Sequence, residues 1–286
     1  MISDITLGQF FPGFSLLHKL DPRTKLISAI LFIVSIFLAK TPLAFLLLTL
    51  FTVAMIFVSR ISFSVILRGI RPVIYILIFT SILNIFMTKG AGAPLLNFWI
   101  IEIYREGIIR AIFMTLRVIL LIVGSSVLLT YTTSPISLTD GLESLLSPLA
   151  KIRIPVHVFS MMMTIALRFI PTLVEETDKI MNAQKSRGAD FTSGSLIRRA
   201  KALIPLLVPL FVSAFKRAEE LAVAMECRCY RVDKKRTKLV KLTFRAKDIL
   251  TLLAFAAFLA GIVFVSRVSA SMLGEGVIAK IFCYRI

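Results

Sequence analysis

Two short stretches hold the side chains best suited to engaging another molecule. They are Gln184-Lys185-Ser186-Arg187-Gly188-Ala189 and Ala224-Met225-Glu226-Cys227-Arg228-Cys229-Tyr230. Each sets one arginine between two small residues: Ser186 and Gly188 in the first, Cys227 and Cys229 in the second. Gly188 is a natural C-terminal cap, which places Arg187 in the last turn of a helix. Arg228 closes the next long helix about forty residues later. A guanidinium offers five donors in a rigid fork to carboxylates or carbonyls, and small neighbours let a helix end enter a groove. An arginine in a last turn also complements the helix dipole with no partner at all. The same pattern at two rod ends favours docking over that plainer reading.

Other chemistry finds little to work with. His18 and His157 are the only imidazoles, and Cys227, Cys229 and Cys283 have neither metal-site spacing nor the look of a disulfide framework. No metal or cofactor is expected. The phosphate-cradling patterns G-x-x-x-x-G-K-[ST] and strand-linked G-x-G-x-x-G do not occur. Glu175 and Glu176 read as the solvated end of a helix. Asp140, Glu143 and His157 come nearest to the cluster a membrane enzyme needs, and they form no recognisable catalytic set. An ion-driven secondary carrier, the alternative transport reading, calls for buried acids or paired broken spans, and the chain offers neither. With no nucleotide motif and no ion path, it needs an energised partner.

The elements that position the two tips follow from composition. The 286 residues are 57% hydrophobic, with mean hydropathy +0.89, yet the formal net charge is +18, from 34 Lys and Arg against 16 Asp and Glu. A nucleic-acid binder needs a soluble basic face. A membrane protein concentrates Lys and Arg on its cytoplasmic side, where anionic lipids add attraction. The first 20 residues lack the apolar core and cleavage site of a signal peptide, so the first span is expected to stay.

Asp21-Pro22 reads as a helix start, cap then first-turn proline. Span one follows over about Leu26–Ala39, with Arg23 and Lys25 holding its start in the cytoplasm. Thr41 is the expected cap of span two, about Leu43–Val58. Span three covers about Pro72–Met87. An outer loop follows, with Trp99 and Tyr104 at interfacial depth. Span four runs over about Gly107–Tyr131. Arg117 lies deep within it and is expected to face protein or a polar pocket. Ser134–Lys247 carries 20 basic residues and is assigned to the cytoplasm. Its apolar runs of 14 residues are short for a bilayer of roughly 30 Å and suit buried or interfacial helices. Three are expected, over about Leu138–Lys151, Pro155–Ser186 and Ser195–Arg228. A basic linker and a last span, about Ile249–Val265, complete the chain. The expected fold is an all-α polytopic membrane protein with about five transmembrane helices and three cytoplasmic or interfacial coupling helices. The expected domains are 1–132 (four spans), 133–230 (coupling helices), 231–268 (linker and final span) and 269–286 (tail).

These features together resemble the EcfT family, the transmembrane subunits of energy-coupling factor transporters. The resemblance rests on His18-Lys19-Leu20-Asp21-Pro22-Arg23-Thr24-Lys25, on the long cytoplasmic helices, and on the paired tips, over about residues 7–266. It implies a protein of the cell membrane, multi-pass with its N-terminus in the cytoplasm, whose partners are two ABC ATPase subunits, a substrate-binding S component and membrane lipids, with no nucleic acid. By carry-over, Arg187 and Arg228 are the coupling arginines, and Asp21, Pro22, Arg23 and Lys25 form the N-terminal motif. The transported vitamin or metal ion is then the business of the S component, and the chain itself is not catalytic. The second tip departs from the family's Ala-Arg-Gly pattern, with Cys227 for Ala and Cys229 for Gly. If position 229 takes a left-handed backbone, a non-glycine residue there costs about 1 kcal/mol. Met161-Met162-Met163 suits a surface accepting several S components; a core filler on the same helix is the other reading.

Overall fold

The computed structural model describes residues 13, 15–88, 96–98, 101–153, 155–189, 191, 195–231 and 243–273. Trp99 and Cys283, named above, lie outside them.

Helix α1 (Pro22–Leu38) starts as the sequence dictates. Asp21 is extended at φ −60°, ψ 134°, its carboxylate accepts the Arg23 N–H at 2.9 Å, and Pro22 occupies the first turn, where no donor is lost. Thr41 caps α2 (Pro42–Ser59) in the same way, accepting the Ala44 N–H at 3.3 Å. Arg60 then takes a left-handed conformation, φ 54°, and turns the chain into α3 (Phe63–Ile70). A 3-10 turn at Arg71–Val73 joins α3 to α4 (Ile74–Met87) without a break. The continuous helical stretch therefore begins before the span expected over about Pro72–Met87. A short hairpin follows, β1 (Leu96–Phe98) antiparallel to β2 (Ile101–Ile103) with Leu96 opposite Ile103. Helix α5 (Arg105–Ser125) runs into a π-turn at Ser126–Thr130. Then come α6 (Pro135–Leu146), a 3-10 stretch at Ser147–Ile152, α7 (Val156–Ser186), α8 (Leu196–Cys227) and α9 (Ala246–Leu273).

Among the described residues, five helical stretches are long and apolar enough to cross a membrane: Pro42–Ser59, Phe63–Met87, Arg105–Thr130, Val156–Ser186 and Ala246–Ser269. The all-α membrane architecture and the count of five agree with the sequence reading, but the membership differs. Helix α7 joins the set on length and composition alone. Helix α1, with 17 residues, is about 25 Å long and sits at the short limit for a span.

The chain forms two compact units. One contains α1 to α5, the start of α6 and α9. Here α1 is the innermost helix, with Phe32 and Ile36 wholly buried. Gly124 on α5 lets it approach, since a Cβ there would lie 2.0 Å from the Phe32 ring. Phe51 stacks on Phe258 at 3.9 Å and meets Phe255 edge-on at 5.2 Å, which joins α2 to α9. Arg117 faces protein as expected: it donates to the Ala39 carbonyl at 3.0 Å and lies over the Phe45 ring. The other unit holds the end of α6 with α7 and α8, and both candidate tips belong to it.

Candidate partner-coupling site

The two tips have the same backbone. At the end of α7 the Ala189 N–H donates to the Gln184 carbonyl at 3.0 Å and the Gly188 N–H to the Lys185 carbonyl at 2.9 Å. At the end of α8 the Tyr230 N–H donates to the Met225 carbonyl at 3.0 Å and the Cys229 N–H to the Glu226 carbonyl at 2.8 Å. This pair of bonds is the Schellman motif, and the residue after the cap must be left-handed. Gly188 takes φ +89° and Cys229 φ +57°. Arg187 and Arg228 therefore occupy the same cap position, one residue before the left-handed turn. Both side chains are exposed, as are Ser186, Gly188, Cys227 and Cys229. The Ser186 hydroxyl donates back to the Asn182 carbonyl at 3.1 Å. Cys227 and Cys229 are free thiols. A Cβ at Gly188 would meet nothing within 4 Å, so glycine is favoured there by its backbone angle rather than by space.

The two rods are pinned to each other at matching points. Glu176 of α7 accepts from the Ser213 hydroxyl of α8 at 3.0 Å and pairs with Arg217. Arg187 lies 11 residues beyond Glu176, and Arg228 lies 11 residues beyond Arg217. At 1.5 Å per residue each arm is about 16 Å long. An apolar cleft of about 280 Å³ adjoins this pin, walled by Ile165, Phe169 and Leu173 of α7 and by Ala218, Leu221 and Met225 within the α8 arm. The cleft precedes Glu176 on one helix and follows Ser213 on the other, so the rods run in opposing senses and their tips point to opposite ends of the pair. Pro171 in α7 and Pro205 and Pro209 in α8 each delete a backbone donor inside the rod. The expectation of a solvated acidic pair is half met. Only Glu175 is exposed, while its neighbour Glu176 is turned between the helices.

The N-terminal motif lies in the other unit and is built inward. Lys25 is almost wholly buried; its ammonium donates to the Thr132 carbonyl at 2.8 Å and the His18 carbonyl at 3.3 Å. Asp248, in the first turn of α9, accepts the Asp21 N–H at 2.8 Å through one carboxylate oxygen and the Arg245 N–H at 2.8 Å through the other. The second bond is the return arm of a capping box. The Asp21 and Asp248 carboxylates act electrostatically on Lys25. Lys25 is thus an internal tie between the ends of α1, α5 and α9 rather than an anchor at the membrane surface. Asp248 completes the motif, 227 residues from Asp21, and nothing in the local sequence links them.

The known proteins that this chain resembles decide between the readings. A family model described as cobalt transport protein, CbiQ, matches residues 13–239. The energy-coupling factor transporter transmembrane protein EcfT of Clostridium kluyveri is 52% identical over 248 residues, covering 87% of this chain and 92% of its own length. The protein of that name from Bacillus subtilis is 50% identical over 262 residues, covering 91% and 98%, and that from Brevibacillus brevis is 55% identical over 248 residues, covering 87% and 93%. The chain belongs to the CbiQ/EcfT family.

In this EcfT family member, Met162 and Met163 are exposed on α7 and Met161 is half-buried, so the triplet does not fill a core. On α8, Leu207, Val208, Phe211, Val212 and Phe215 face outward around an open groove of about 590 Å³. Their spacing of three and four residues is visible in the sequence, although the proline pair makes the segment read as broken. The Glu143 carboxylate accepts from the Ser160 hydroxyl at 2.8 Å and meets His157 Nδ1 at 3.1 Å. The serine is held by the carboxylate and not by the imidazole, so this trio braces α6 against α7 instead of activating a nucleophile.

Proposed function

We propose that this EcfT family member is the energy-coupling subunit of an ECF-type importer, a part of the complex that is not itself catalytic. Its N-terminus is in the cytoplasm, and domains 133–230 and 1–132 divide the work between coupling and membrane anchorage. Two ABC ATPase subunits grip the tips, one at Ser186-Arg187-Gly188 and the other at Cys227-Arg228-Cys229. ATP binding draws the two ATPases together. The arms swing about the Glu176–Arg217 pin, and the crossing of α7 and α8 changes. An S component rests on the outward apolar face of α8 and on Met161, Met162 and Met163. As the crossing changes, it reorients and delivers its vitamin or metal ion inside.

The observation that carries this reading is the matched pair: two identically capped helix ends, each offering one exposed arginine at an equal distance from a common pin. An arginine serving only its helix dipole needs no equal arm. Two tips at opposite ends of a rod pair suit two motors better than one.

The test is co-expression with cognate ATPases and an S component, with retention of ATPase on the tagged chain and substrate uptake as readouts. Arg187→Ala or Arg228→Ala each weakens retention, and the double variant lowers uptake at least tenfold with normal membrane insertion. Undiminished uptake in the double variant falsifies the lever role.

A further inference from the structure

We infer that the cleft between the N-terminal turn and the start of α9 is a binding site for one anionic glycerophospholipid. The cleft has a volume of about 310 Å³, within the range of small-ligand pockets, roughly 300–1,000 Å³. Its walls are apolar: Leu16, Leu17 and Leu20 from the turn, Val58 from the last turn of α2, and Leu250 from α9. Three cations, Lys19, Arg245 and Lys247, complete the lining and make its rim cationic. All three are exposed, and among the described residues none forms a side-chain ion pair. The one acid in the lining, Asp248, is buried and engaged. Both its oxygens accept backbone N–H groups, and its charge faces Lys25. The cleft therefore presents net positive charge.

Charge complementarity and position select the occupant. The start of α1, the end of α2 and the start of α9 share this end of the unit, and α2 and α9 are membrane-crossing by length and composition. The cleft therefore opens where a bilayer's head groups begin. A soluble anion satisfies the rim but leaves Leu16, Val58 and Leu250 exposed to water. A zwitterionic lipid covers those residues but brings its own cation to a rim of three. An anionic glycerophospholipid satisfies both, with its phosphate among Lys19, Arg245 and Lys247 and its first methylenes along the leucines. Basic pockets at helix ends recognise anionic head groups in this way. The bound lipid would cover the seam where Asp248 joins α9 to the start of α1.

The experiment uses the full chain, stripped of lipid in mild detergent and titrated by native mass spectrometry. The probes are dioleoylphosphatidylglycerol, dioleoylphosphatidylcholine and inorganic phosphate. Phosphatidylglycerol is expected to bind at least tenfold tighter than phosphatidylcholine and to raise the melting temperature, while equimolar phosphate does not displace it. The variant Lys19→Gln/Arg245→Gln/Lys247→Gln loses that preference at least tenfold. Leu16→Glu, which changes an exposed wall residue outside every span and keeps the three cations, loses it as well. Should the triple variant fail to fold, Leu16→Glu decides. Equal affinity for the two lipids, unchanged preference in Leu16→Glu, or displacement by phosphate overturns the assignment.

Discussion

At the residue scale, Arg187 and Arg228 owe their common setting to the residue next in the chain. The Schellman bonds close only if that residue turns left-handed, and Gly188 does so without a Cβ to strain. Cys229 adopts φ +57° with its Cβ in place, at a cost of about 1 kcal/mol. The second tip is therefore the looser of the two, and exchanging the residue types should move each in the opposite direction. Gly188→Ala is expected to speed amide exchange at Arg187–Ala189 by about fivefold, the equivalent of about 1 kcal/mol. Cys229→Gly should slow exchange at Arg228–Tyr230 by a similar factor. Hydrogen-exchange mass spectrometry reads both, and equal rates in parent and variants would mean the turn stores no strain. Residue types alone reveal the first tip, because a glycine after an arginine at a helix end has a local meaning; the second, with Cys229 in that place, is found by its likeness to the first. The same logic does not reach Asp248 or Glu176. Each gains its role from a partner distant in sequence, Asp21 for one, Arg217 and Ser213 for the other. A carboxylate flanked by polar residues looks solvated until the fold brings its donors.

At the element scale, most helices are legible because their ends carry chemistry. Asp21-Pro22, Thr41-Pro42 and Gly188 mark boundaries within a residue or two of those observed. The elements that escape a sequence reading are those without such punctuation. Helix α3 lies among arginines, and the π-turn after Ser125 continues an apolar run that a sequence pattern reads straight through. Helix α7 joins the long apolar set because Val156–Val174 is apolar on most sides, whereas its charges gather beyond Glu175. That charged half carries the pin to α8. A double-mutant cycle with Glu176→Gln and Arg217→Gln measures it. The coupling energy expected is about 1 kcal/mol, within the roughly 0.5–3 kcal/mol found for residues in one polar network. The pair is partly solvated, with side chains 26% and 34% exposed, so a larger value is not expected. Unfolding of the detergent-solubilised chain provides the readout. Additive single effects would show that α7 and α8 are held by the apolar cleft alone.

At the scale of the whole molecule, the proposed function depends on arm length as much as on arginine. Glu176 to Arg187 and Arg217 to Arg228 are each 11 residues, and a lever with equal arms moves both ends by the same amount for one change in crossing. Lengthening one arm separates docking from transmission. Seven residues of helix-favouring sequence inserted after Met181 extend the α7 arm by about 10 Å and return Arg187 to nearly the same face, since seven residues make almost two whole turns. The tip keeps its cap, its arginine and its exposure. Each ATPase should still bind the chain, because the local docking surface is intact. The two tips are no longer equidistant from the pin, however, so closure of the ATPases cannot move both arms together. Substrate uptake is expected to fall at least tenfold, with ATPase retention within twofold of the parent. A matching insertion after Ala222 in the α8 arm should restore part of the uptake when combined with the first. Full uptake in the single insertion would show that the rods transmit no distance-dependent motion, and loss of ATPase binding in it would show that docking itself depends on where the tip lies.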